Sequence, residues 1–86
     1  MQRAETQMRL KIVEITWLDA YSEAGWKDID KMSMVPLPVI TSVGYLIEKN
    51  DRVVRLAHSI NTDQCDFTLI PAGTVSRVRT IGHVTL

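Results

Sequence analysis

One cysteine, five aromatic side chains, no excess of either charge and no long apolar run are the first things this 86-residue chain shows. Each scarcity excludes something. With Cys65 alone, no internal disulfide is available to brace a small core. The two histidines, His58 and His83, stand far apart with no cysteine or carboxylate at ligand spacing, so neither a metal site nor a cofactor is expected. Ten basic residues are matched by ten acidic ones. That balance argues against general DNA or RNA binding, since grip on a phosphate backbone needs a cationic excess. No stretch approaches the roughly 18 apolar residues that suggest a membrane span. The opening "MQRAETQMRL" lacks the apolar segment of a secretory signal, and with a single thiol the expected compartment is a cytoplasm.

Hydrophobic residues nonetheless make up 45% of the chain, which is ordinary for a folded domain and too many for a disordered one. A domain of this size buries only about 60–65% of the surface its unfolded form exposes. With disulfide and metal excluded, association into a homo-oligomer is the remaining way to reinforce it.

The hydrophobic pattern has a period of two. Residues 1–9 are polar and aperiodic and read as an N-terminal arm, leaving 10–86 as a single domain. "LKIVEITWL" sets Val13, Ile15 and Trp17 on one face of a strand, and Asp19 continues that face just past its end. "YSEAGWKDIDKM" breaks the alternation. Ser22 is a candidate cap for one short helix, and Trp26 and Ile29, three apart, are expected to pin a long loop onto the domain body. The prolines of "MVPLPV" exclude helix and favour an extended crossover. In "ITSVGYLIEKNDRVVRLAHSI" Val43, Tyr45 and Ile47 alternate, Asn50-Asp51 supplies turn chemistry, and Val54, Leu56 and Ile60 alternate again. This is a β-hairpin, with Val13, Val43 and Val54 read as inward-facing and His58 on the apolar side. Gly44 marks a bend or a close backbone approach. "NTDQ" is a second turn, "CDFTLI" a fourth strand with Phe67 and Leu69 on one face, "PAGTV" a tight turn, and "SRVRTIGHVTL" a last strand kinked at Gly82. The fold class is all-β: a small five-stranded antiparallel barrel or roll, SH3- or Sm-like, with one long loop carrying at most a short helix. Closure of such a sheet would remove its edges.

Two resemblances follow from the motifs. "TWLDA" at 16–20, "GW" at 25–26, "SVGYLI" at 42–47, "VRLAHSI" at 54–60 and "IPAGTVSRV" at 70–78 resemble a group of small accessory proteins of tailed bacteriophages. That similarity implies a viral protein acting in the host cytoplasm and assigns no reaction. The order "GYLI…VVRLAHSI…FTLIPAGTVSRVRTI" is similar to Sm-like barrels, which assemble into RNA-binding rings. The basic and amide residues those rings use for RNA have no counterpart around Asn50-Asp51 or Pro71-Gly73, so the resemblance implies the barrel and the ring rather than the ligand.

No nucleophile, base and orienting group stand at a recognisable spacing, so catalysis is not expected. Cys65 and His58 carry no local signature of a cysteine hydrolase, and Asp19 and Glu23 lack the further aromatics of a sugar site. What remains is binding chemistry. Trp26 and Tyr45 offer rings that can stack on a base or anchor a protein contact. Arg55, Arg77 and Arg79 could hold phosphate if they converge, and Asp19 could accept from a base or ribose. The bland alternatives are a buried aromatic plug for Trp17, a loop cap for Asp19 and a solvated charged face for the arginines. The leading expectation is therefore a non-enzymatic phage accessory protein, in its concrete form a counter-defence factor that sequesters a host nucleotide signal between subunits. The first alternative is a protein-interaction module that inhibits a host protein or assembles in the virion, with Trp26, Ile29, Met32 and Met34 as its exposed apolar patch. The second is an Sm-like RNA-binding ring.

Overall fold

The computed structural model describes residues 8–20, 25, 26, 28–32 and 36–86. Ser22, Glu23, Met34 and residues 1–7 of the expected arm lie outside the described residues. The elements are β1 (Arg9–Leu18), α1 (Ile29–Met32), β2 (Val39–Lys49), β3 (Val53–Ile60), β4 (Cys65–Pro71) and β5 (Val75–Thr85), with a 3-10 turn at Ala72–Thr74 between the last two strands. The strands form one antiparallel sheet in the order β4-β3-β2-β1-β5. The all-β class and the five antiparallel strands are as the alternation indicates. The sheet curls around its core as a barrel does without closing, so β4 and β5 remain its two edges.

Both tight hairpins are held by an asparagine. Asn50 Oδ1 accepts hydrogen bonds from the N–H groups of Arg52 and Val53 at 2.8 and 2.9 Å, and the Asn50 N–H donates to the Val53 carbonyl. Asn61 repeats the pattern with Asp63 and Gln64. Each side chain replaces bonds the ladder can no longer make where the chain reverses.

The core is small. Val13 and Ile15 of β1, Val54, Leu56 and Ala57 of β3, and Ile70 of β4 are the buried residues, with Trp17, Leu46, Val75 and Val78 packed around them. Strand β2 departs from expectation here. The register sets Val13 opposite Gly44 and Ile15 opposite Ser42, so the even positions of β2 face inward. Val43 therefore points outward and is 47% exposed, and Ile47 is exposed with it. The inward place on β2 that a valine was expected to fill is occupied by Gly44, because β3 takes the space. A Cβ built on Gly44 would overlap the Ala57 carbonyl oxygen and lie 2.9 Å from Leu56 Cγ. Glycine is what lets β3 fold this closely over β2.

The loop between β1 and β2 also differs. Trp26 and Ile29 were expected to pin it down, yet they are 102% and 91% exposed. One helical turn, α1, follows Asp28, and it buries no residue. Gly25, with a positive φ of 99°, sits where an L side chain is strained, just before Trp26.

An irregularity in β5 re-aims side chains. Opposite Ile12 and Val13, strand β5 carries one extra residue, Ile81, between Thr80 and Gly82. This bulge moves the even positions of β5 from the core side at Val78 to the opposite side at Val84. Beyond it, Arg9, Leu10 and Lys11 pair only with Thr85, Val84 and His83, and Met8 and Leu86 exchange backbone hydrogen bonds. The sheet thus runs out into a two-stranded ribbon.

Replacing Gly44 by alanine should cost about 1–3 kcal/mol through overpacking against β3. Urea denaturation should show a lower midpoint, with little change of slope, for Gly44→Ala; an unchanged midpoint would mean that β3 can retreat freely.

Candidate functional site

Trp17 is the plug that the sequence suggests. It sits on the core side of β1, opposite Ile40 of β2 and Val75 of β5, and its indole N–H donates to Ser42 Oγ at 3.1 Å. A half-buried indole needs such a partner, and only the inward-facing even positions of β2 could supply it. Asp19 acts as a loop cap. Its N–H donates to the Pro38 carbonyl, and its carboxylate accepts from the Ala20 N–H at 2.8 Å. The first bond ties the two ends of the β1–β2 loop together, and the second is local to Asp19.

The arginines do not converge. Arg55 stands directly opposite Glu48 and pairs with it at 2.6 Å. Arg79 stands opposite Glu14 and pairs with it at 3.0 Å. Arg77, two residues along the same face, is opposite Thr16 and makes no ion pair among the described residues. Arg55 is three strands from Arg79, roughly 14 Å at ordinary strand spacing. It also lies to the opposite side of the row Ile12–Tyr45–Ala57. Exposed cross-strand pairs of this kind are worth about 0–1 kcal/mol each, and they leave the guanidinium groups neutralised rather than available to phosphate. Tyr45 lies half-buried on that outer row, and Trp26 stands away in the loop, fully in solvent. Of the six expected ligand residues, Tyr45, Arg55, Arg77 and Arg79 share the outer face of the sheet, with Arg55 diagonal to Tyr45 on the adjacent strand and Arg77 and Arg79 two strands away on β5, and Asp19 and Trp26 belong to the loop.

Among the described residues no three His, Cys, Asp or Glu side chains are grouped to hold a metal ion, and no helix is long and apolar enough to cross a membrane. His58 points to Thr68, with Nε2 and Oγ1 3.1 Å apart, rather than to Cys65. Cys65 is exposed.

One functional group of the fold escaped the sequence reading. His58 and Ser59 of β3 stand against the single residue Asp66 of β4, because the register shifts between Ala57 and Ile60. A bulge leaves N–H groups unmatched in the ladder. The Asp66 carboxylate accepts from both, at 2.8 Å from His58 N and 2.7 Å from Ser59 N. Those two backbone bonds hold its pKa below the ordinary 3.8, with a smaller contribution from His58. The signal in the sequence was an aspartate in a strand otherwise rich in β-formers, where an acid is out of place unless it is bonded to backbone.

No protein-family model, curated protein or solved structure matches the chain.

A depressed folded-state pKa means that Asp66 contributes stability above pH 3.8, and that this contribution is lost as pH falls through the lower folded value. Melting temperatures should therefore fall on acidification below about pH 4, and Asp66→Asn should melt lower than the parent at neutral pH with a shallower acid limb. Parallel curves for the two proteins would show that the carboxylate does not brace the bulge.

Proposed function

We propose that this chain is a non-enzymatic protein-binding module whose contact element is the β1–β2 loop. The observation that carries the reading is the loop's apolar surface. Trp26 and Ile29 are almost wholly in solvent, and Leu37 and Met32 are 53% and 44% exposed. Exposed apolar groups cost free energy in water, and tryptophan provides large contact area with little rotamer entropy to lose. The loop ends are tied by Asp19 and Pro38, so the element is presented from the end of the rigid sheet. Such a module holds a partner without turning it over. The resemblance to tailed-bacteriophage accessory proteins supplies the setting for this proposal: a viral protein that inhibits a host protein or joins an assembly.

Sequestration of a nucleotide is the narrower reading, and it has less support. It needs arginines that meet around a ring, whereas Arg55 and Arg79 are each matched by a glutamate. An RNA-binding ring has less again, because the chain carries no net charge.

The test is a photo-crosslinking residue at position 26 combined with Ile29→Ser. A single stoichiometric partner captured from bacterial lysate, and lost in the variant while the melting temperature is unchanged, is the expected result. Capture indifferent to Ile29, or calorimetric heat with a nucleotide panel and none with any protein, would overturn it.

A further inference from the structure

The ribbon formed by residues 8–12 and 82–86 is sided in a way the rest of the sheet is not. On one face lie Met8 and Leu86, Leu10 and Val84, and Ile12 over Gly82. On the other lie Arg9 with Thr85 and Lys11 with His83. One face therefore carries no charged group, and the other carries every cation of the ribbon. Arg9, Lys11 and His83 have no ion-pair partner among the described residues and stand in water. Met8 and Leu86 are 50% and 49% exposed, and Leu10, Ile12 and Val84 are only partly covered. Ile12 leads directly to its cross-strand neighbour Tyr45, so the apolar face continues onto the outer side of the sheet.

An isolated two-stranded ribbon is marginal in water, and this extension of the sheet would gain from a third element on its hydrophobic face. Nothing among the described residues of this chain provides one. We propose that a second copy of the chain does, through a two-fold contact in which the apolar faces of two ribbons pack together.

Charge selects this occupant. Across a two-fold axis a surface meets itself, so any net sign would be repelled by its own copy. Here the apolar face bears no sign, and the nearest charges on its side, Glu14 and Arg79, already neutralise one another. The chain as a whole is neutral, so two copies do not repel at long range. The cations face away from the contact and keep their water. A partner chosen by opposite charge would find no charge to read on this face. Two ribbons stacked face to face form a small aligned sandwich, the geometry in which twisted antiparallel strands bury one side and solvate the other.

The area sets the strength. The patch is small, with Met8 and Leu86 about half exposed and Leu10, Ile12, Val84 and Tyr45 less so, which places the contact in the weak class below about 1,200 Å² in total. The dimer is accordingly concentration-dependent. It is also independent of the β1–β2 loop, which lies on the Leu18 side of β1, away from the ribbon.

Sedimentation velocity from low micromolar to near-millimolar chain concentration reads the equilibrium directly. The expected result is a monomer that becomes a dimer with concentration. The double substitution Leu10→Thr and Val84→Thr places a β-branched residue at both positions while removing apolar contact, and it should move the midpoint upward by roughly tenfold or more. Amide exchange provides the second readout, with slower exchange at 8–12 and 82–86 in the parent at high concentration and no such slowing in the variant. A parent that stays monomeric throughout overturns the proposal. So does a dimer unaffected by the double substitution, which would place the contact on the open edges β4 or β5 instead.

Discussion

Everything in this fold depends on how closely β3 approaches β2 at Gly44. The missing side chain lets the Ala57 carbonyl and the Leu56 side chain occupy the inner face of β2. That approach lets Leu56 join Val13, Ile15, Val54 and Ile70 in one cluster rather than lie along a flat sheet. Each such side chain, fully buried, contributes about 1.5–3 kcal/mol, so a cluster of this size has little to spare. The curvature that makes the core is thus bought with one glycine.

A core so small leaves much apolar surface outside it, and the remaining features follow from that. Phe67, Leu69, Val43 and Ile47 stand on the outer side of the sheet about half exposed, beside the cross-strand ion pairs Arg55–Glu48 and Arg79–Glu14. Apolar groups with no such company gather at two places, the β1–β2 loop and the terminal ribbon. The loop carries its rings and methyl groups away from the body, and the ribbon carries them on one face. Both keep apolar surface in water that folding does not cover.

The bulges decide which side chains go where. At Ile81 one extra residue turns Val84 away from the core side and gives the ribbon its apolar face. At His58 and Ser59 another extra residue leaves two backbone donors that Asp66 satisfies. The first bulge creates a surface and the second repairs a ladder. The depressed Asp66 pKa is structural in origin, since its largest causes are the backbone hydrogen bonds from Ser59 and His58.

Local alternation was enough to determine the all-β class, the two asparagine turns, the tight turn after Pro71, the core-side place of Trp17 and the close approach at Gly44. These are legible because each depends on near neighbours: a period of two, a turn residue, a glycine between apolar residues. Which face of β2 turns inward was not legible, since Val43, Tyr45 and Ile47 alternate as well as Ser42, Gly44 and Leu46, and only pairing with Val13 and Ile15 chooses between them. The separation of Arg55 from Arg79 and the solvent position of Trp26 were equally out of reach. They depend on strand order and bulge position, and those are set by contacts between residues distant along the chain, on which a local pattern carries no information.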